Sequence, residues 1–392
     1  MRLKVVPGDF IVEERAALRL QAAGPWAVYR VRKVGLTTLA ARTRLAAALA
    51  LSDGQVLFPA LKDKEAISVQ YACAPSGLAE RVEQEGLTAE RIGQRAAPLT
   101  AADLRGNLFA LTLRDLEATE AAHLAERFTQ LARLGLPNYF HTQRFGSLTA
   151  EGEFIGKAIL QRNAEAALKL YLTTPFAGDP RPVRAYKHQA AALWPDWAAL
   201  FAAAPRPSNY RSVLTYLVGH PQDYRAALNL IPQRTLSLYL GAYQSDLWNR
   251  VAADYLEQAY RAASIPIAHI EIAGRSLPLH TALPAGLREE LATVRLPLPE
   301  HNAVYRPEAL AQNVERVLAE EGLALGDLKA RILKKAYLTR GSRTLLLVPE
   351  EVKVEAPASD ERFPERLMLR VAFALPPGSY ATLVVEAAQA TT

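Results

Sequence analysis

Asp63 stands between Lys62 and Lys64, in a stretch whose pattern reads as a loop between two strands. Positive neighbours favour the ionised form of a carboxylate. An ionised carboxylate can act as a nucleophile or as a general base. The flanking lysines could equally meet phosphates as point charges, and the same triplet fits a solvated surface turn. A second cluster runs from Leu136 through Pro137, Asn138, Tyr139 and Phe140 to Gln143-Arg144-Phe145-Gly146. Proline, asparagine and two aromatics after a helix end make a rigid turn. Asn138 offers both a donor and an acceptor, which suits the edge of a nucleobase. Aromatic faces suit an unstacked base, or the filling of a core. A third segment, Phe373-Ala374-Leu375-Pro376-Pro377-Gly378, reads as a strand ending in a turn.

Other chemistries lack their motifs. The sequence has no glycine-rich phosphate loop, no Gly-x-Gly-x-x-Gly opening a helix, no Gly-x-Ser-x-Gly elbow and no His-Glu-x-x-His. Its seven histidines are scattered, and none pairs at metal spacing with Cys73, the single cysteine. One cysteine forms no intrachain disulfide, which fits a reducing, cytoplasmic setting. No apolar run reaches the roughly 18 residues that span a bilayer. The formal net charge is +6. Residues 1–50 carry nine basic side chains against three acidic ones, so the excess sits at one pole. A basic pole on a balanced body suggests a polyanionic partner.

The elements that must hold these residues follow a strand–helix–strand order. Residues 1–35 alternate with period two, and Thr37 or Thr38 could cap a helix running to about Leu51. Val56 to Ala74 reads as strand, loop, strand. Asn107 to Leu113 reads as a strand and Ala118 to Leu134 as an amphipathic helix stopped by Gly135 and Pro137. Residues 151–230 are alanine-rich and helical, and a long helix is predicted from about Leu238 to Ala262. The stretch 264–300 has room for two or three strands, and Pro307 opens a helix to about Glu321. Strand texture returns at Leu345–Val348, Leu367–Leu375 and Tyr380–Val385. Strand-rich ends around a helix-rich middle predict one α+β domain interrupted by an insertion.

Taken together and in order, these segments resemble the TruD family of tRNA pseudouridine synthases. The resemblance rests on Lys4 with Pro7-Gly8-Asp9-Phe10-Ile11-Val12-Glu13, on Lys62-Asp63-Lys64-Glu65-Ala66, and on Gly106-Asn107-Leu108-Phe109. It continues through the Pro137–Gly146 cluster, Tyr243-Gln244-Ser245-Asp246-Leu247-Trp248-Asn249, and Leu375-Pro376-Pro377-Gly378-Ser379-Tyr380-Ala381-Thr382. It implies an α+β pseudouridine-synthase catalytic domain with a mixed antiparallel sheet, formed by residues 1–150 and about 325–392. A helix-rich α/β insertion, the TRUD domain, would occupy about 151–324. The implied reaction is isomerisation of uridine to pseudouridine in tRNA, at uridine 13, with a flipped-out base. It needs neither cofactor nor metal, and it would be carried by a cytoplasmic enzyme expected to act as a monomer.

Residue by residue, the resemblance makes Asp63 the catalytic aspartate, attacking the ribose C1′ or abstracting the 2′ proton. It places Phe10, Asn138 and Phe373 in the lining of the uridine pocket. Phe140 falls where other pseudouridine synthases carry a tyrosine, and Lys4 is the expected charge partner of Asp63. Lys62 and Lys64, as neighbours in an extended segment, should point away from it. Ala60 replaces a glycine of the family pattern, so the loop must avoid positive φ there. Two other classes compete: a non-catalytic RNA-binding protein driven by the basic pole, and an acid-nucleophile glycosidase. The second would need another carboxylate as proton donor, for which Glu13 is the candidate.

Overall fold

The computed structural model describes residues 1–76 and 79–390 and divides into two compact units, residues 1–136 with 347–389, and residues 137–346. The first is built on a nine-stranded sheet. Its strands are β1 (Phe10–Ala16), β2 (Trp26–Lys33), β3 (Ile67–Pro75), β4 (Arg81–Gln84), β5 (Leu87–Arg95) and β6 (Leu104–Leu116). The chain leaves through the two-residue strand β7 (Leu136–Pro137) and returns through β12 (Leu346–Leu347). It then adds β13 (Glu350–Val354), β14 (Ala358–Ser359) and β15 (Leu367–Leu375). The order is β13-β15-β6-β1-β3-β2-β5-β4, with β14 on β15. Among the described residues of this sheet, only β1 and β3 run parallel.

That register decides where the site lies. In the parallel pair, Ile11 sits opposite Ile67, so the segments entering β1 and β3 meet at one edge of the sheet. β2 runs the other way and pairs Lys33 with Ser68, so its last residue reaches the same edge. Helix α1 (Thr38–Ala48) starts there, capped by the Thr37 hydroxyl accepting from the Ala40 amide at 3.1 Å. Its Ala41 and Leu45 pack on Tyr29, Val31, Ala72 and Ala89 of the sheet.

At the other end of the sheet, α2 (Ala118–Leu134) buries Leu124, Phe128 and Leu131. It packs on β15 and on the last helix, α12 (Ala381–Gln389). α12 corrects the sequence reading, in which Tyr380–Val385 was a strand. Gly106, at φ 149°, lets the β6 backbone pass the Leu375 carbonyl, with which any Cβ would collide.

The second unit is mostly helical. Helices α3 (Ile155–Leu160), α4 (Ala164–Thr173), α5 (Arg181–Leu193), α6 (Trp197–Ala203), α7 (Tyr210–Gly219) and α8 (Tyr224–Leu228) lead to the 30-residue α9 (Gln233–Ala262). α9 buries Leu240, Leu247, Trp248, Val251 and Leu256 at the core of the unit. A hairpin of β8 (Ile267–Ile272) and β9 (Arg275–His280) follows, then α10 (Ala285–Thr293). The short strand β10 (Arg295–Pro297) pairs with β11 (Ser342–Thr344), and α11 (Glu308–Glu320) packs along α9. The inner boundaries fall at Leu136/Pro137 and Leu346/Leu347, so Asn138 and Phe140 belong to this unit. Among the described residues, no helix is long and apolar enough to cross a membrane.

Candidate active site

In the sheet unit, Asp63 lies on the loop that enters β3. Its side chain is 54% exposed, and Lys4 Nζ lies 3.9 Å from Oδ2. Lys4 adopts φ 60°, a left-handed conformation uncommon outside glycine and asparagine. Its ammonium also sits over the Phe10 ring, 4.4 Å from the centroid. The turn that carries Lys4 into β1 is anchored by the buried Asp9. One Asp9 oxygen accepts from the Val6 amide at 3.0 Å and the other from Arg114 Nε at 2.8 Å. Arg114 reaches on to Asp360 and Glu361, both at 2.8 Å. The end of β6 and the loop before β15 thereby fix the approach to Phe10.

Beneath the loop lies a set of polar groups, of which Lys33, Gln70 and Glu14 fall in no motif of the sequence. Lys33 is fully buried, and its Nζ donates to the carbonyls of Leu36 at 2.9 Å, Lys62 at 3.3 Å and Asp63 at 2.6 Å. Thr38, the residue after the helix cap, accepts from the Lys62 amide at 2.8 Å. Its hydroxyl faces Gln70 Oε1 at 3.1 Å, and the Gln70 amide holds the Ala60 carbonyl at 3.0 Å. Lys62 turns down to Glu14, 3.0 Å away, and the other Glu14 oxygen accepts from the Tyr71 amide at 3.1 Å. Ala60 does not have positive φ, so the loop closes without the glycine of the family pattern.

Phe10 and Phe373 are joined through Phe109. The Phe10 and Phe109 centroids lie 6.1 Å apart edge-on, and those of Phe109 and Phe373 5.8 Å apart. Phe373 was expected to line a uridine pocket. It has no accessible surface and packs at 6.2 Å on Phe128 of α2, so here it is a core residue behind Phe10. The strand phase explains this. Phe373 pairs with Phe109, and both project toward α2.

In the helical unit, Asn138 and Phe140 are built into a rigid turn. The Asn138 amide donates to the Thr344 carbonyl at 3.1 Å and hydroxyl at 3.2 Å. Its Oδ1 accepts from Arg343 Nη2 at 2.6 Å, and Arg343 Nε holds the Asn138 carbonyl at 2.6 Å. The buried Asn138 side chain thus already spends donor and acceptor within its own unit. The Arg343 guanidinium lies 4.5 Å from the Phe140 centroid.

α9 supports the same turn along one face, because Gly241, Ser245 and Asn249 recur every four residues. Asn249 exchanges two 2.8 Å bonds with the Phe140 amide and carbonyl. Ser245 accepts from Arg144 Nε at 3.0 Å, and Gly241 leaves room for that guanidinium. Trp248 meets Phe140 edge-on at 5.6 Å. Phe140 remains half-buried. Tyr139 is fully buried, with its hydroxyl donating to the Pro278 carbonyl at 3.0 Å, and burial pushes its phenol well up.

The arrangement offers one carboxylate on a pinned loop, a lysine ammonium beside it, and an aromatic ring under that ammonium. Such a group can supply nucleophilic or general-base catalysis. The sequence model of the tRNA pseudouridine synthase D (TruD) family matches residues 1–387. The tRNA pseudouridine synthase D of Aquifex aeolicus is 26% identical over 394 residues, covering 98% of this chain and 97% of that protein. That of Leptospira interrogans is 25% identical, with 98% and 95% coverage. A crystal structure from Methanosarcina mazei assigned to TruD superposes with a TM-score of 0.75 at 24% identity, covering 99% of this chain and 93% of that one, and so shares the fold.

Proposed function

This chain belongs to the TruD family of tRNA pseudouridine synthases, and on that footing we propose that it isomerises uridine 13 of tRNA through the Asp63 carboxylate. The observation that carries the assignment of Asp63 is its company: the Lys4 ammonium 3.9 Å away, itself over Phe10, on a loop held from below. The reaction breaks the N1–C1′ bond, turns the base, and joins C5 to C1′. The proton on C5 is lost and N1 gains one, so substrate and product are isomers. Asp63 starts the sequence either by attacking C1′ or by removing the 2′ proton, and both routes need the carboxylate ionised. Lys4 places a positive charge beside that carboxylate.

A uridine inside a folded RNA must leave its stack to be reached, and aromatic faces replace the lost stacking. Phe140 is the proposed stacking surface, as a phenyl ring that cannot donate a proton. Asn138 holds the turn that presents it. Phe10 shapes the environment of Lys4. One chain acting on one tRNA is the proposed working unit.

The test is pseudouridine mapping on an unmodified tRNA transcript, with Asp63→Asn and Asp63→Ala as controls. Product at position 13 only with the native carboxylate is the expected result. Turnover surviving Asp63→Ala would remove the proposed mechanism. Tight binding without product would leave an RNA-binding protein instead.

A further inference from the structure

We propose that Lys33 is the positioning residue for Asp63, its buried ammonium acting as a three-point clamp on the main chain that presents the carboxylate. The inference rests on the assignment of Asp63 above. Three carbonyls converge on one Nζ: Leu36 at 2.9 Å, Lys62 at 3.3 Å and Asp63 at 2.6 Å. An ammonium has three N–H donors and no acceptor, so the match is complete. The side chain is fully buried, and among the described residues no carboxylate appears as its hydrogen-bond partner. A buried lysine spent on carbonyls alone is a costly way to hold a turn, because the charge loses its water. What the clamp secures is the direction of the Asp63 main chain, and with it where the carboxylate projects.

The clamp has a pH limit. Burial pulls the Lys33 ammonium down to about 8, against the pull of the Asp63 carboxylate and with the push of the Lys62 ammonium. These are the charged groups that face it. A neutral amine has two N–H donors and a lone pair, so one of the three carbonyls loses its donor as the pH passes that value. The linkage runs the other way for global stability. A lysine lowered on folding binds fewer protons when folded, so its own effect is to raise stability between pH 8 and the ordinary lysine range. Activity should therefore fall on the alkaline side while this group does not drive unfolding.

The experiment pairs single-turnover pseudouridine formation across pH 6.5–9.5 with hydrogen–deuterium exchange on the full chain. Lys33→Met should slow turnover about 100-fold, the cost of a misplaced reacting group. KM for tRNA should not move, and the alkaline limb of the native profile should be absent. Exchange over residues 60–66 should quicken while β3 stays protected. Lys33→Met turning over within about twofold of native, or keeping the native alkaline limb, would overturn the proposal. Should Lys33→Met fail to fold, the native protein decides. Protection of residues 60–66, corrected for intrinsic exchange, should drop between pH 7 and 9.5, and unchanged protection would overturn it. If native protein forms no pseudouridine, the reading of Asp63 falls, and exchange alone decides whether Lys33 holds the loop.

Discussion

Lys62 turns its ammonium away from Asp63 and buries it 3.0 Å from Glu14, a carboxylate with no exposed surface. Glu14 shares a face of β1 with Phe10 and Val12, so it faces the core. The lysine beside the proposed catalytic aspartate is therefore part of the foundation of the loop. Glu14→Ala should cost about 3–5 kcal/mol, because it strands a half-buried ammonium. Glu14→Leu with Lys62→Met should recover most of that loss. Urea unfolding read through amide exchange of β1 and β3 checks it, and strictly additive single effects would show that the two groups are not coupled.

Lys4 separates charge from backbone. Glycine accepts a φ of 60° without strain, so Lys4→Gly removes the ammonium and keeps the turn. Pseudouridine formation should fall by about 100-fold, as when one preorganised charge is lost from a reacting centre. Lys4→Arg should retain most of the activity. Stability should change by less than about 1 kcal/mol, because the ion pair with Asp63 is half-exposed. Unchanged turnover in Lys4→Gly would show that the ammonium plays no part in the chemistry.

Phe373 and Phe10 should part company under mutation. Phe373→Ala opens a cavity between Phe109 and Phe128 and should cost about 3–5 kcal/mol. Turnover per folded molecule should change little. Phe10→Ala removes the ring beneath Lys4 and should lower turnover more than Phe373→Ala does. Thermal melts together with activity corrected for the folded fraction distinguish the two.

Glu321 gives the helical unit an acid limit. Burial raises its carboxyl, but Lys157 at 2.7 Å, the Tyr243 hydroxyl at 2.8 Å and Arg250 at 2.5 Å outweigh that and hold it down to about 2. A carboxylate lowered on folding lends stability that is complete above the unfolded value and lost as pH falls through the folded one. The loss should fall between about pH 4.5 and 2 and amount to roughly 3 kcal/mol. Urea melts of native and Glu321→Gln protein from pH 7 to 3 check this: the two should converge on acidification. Parallel curves would deny the linkage.

The sequence carried some elements clearly and hid others for physical reasons. α2 ran from Ala118 to Leu134 as read, because a strong 3.6-residue period ends on a glycine. Tyr380–Val385 misled because Leu383, Val384 and Val385 give an unbroken apolar run with two β-branched residues. Its helical spacing, Ala381, Val384, Val385, Ala388, appears only over a longer window. Thr37 and Thr38 both looked like caps. One is, and the other grips Lys62.

Lys33 could have been found. It falls in phase with Ala27, Tyr29 and Val31, the inward positions of β2, where a charge demands partners. Arg343 could not, since its grip on Asn138 spans 205 positions and no local pattern marks it. Asn138 stands out in the sequence as a paired donor and acceptor after a proline, but the partners of its amide do not.

The sheet that holds Asp63 is completed late in the life of the chain. β6 ends at Leu116 and its neighbour β15 begins at Leu367. On a ribosome adding about 5–20 residues per second, some 250 residues and roughly 10–50 s separate the two strands. During that interval the edge of β6 carries Phe109, Leu111 and Leu113 without the strand that covers it, a template for pairing with another nascent chain. The intervening helical unit is complete by then and can fold first. Efficient production should therefore depend on a chaperone that shields this edge, or on elongation fast enough to shorten the interval, far more than the stability of the finished enzyme would suggest.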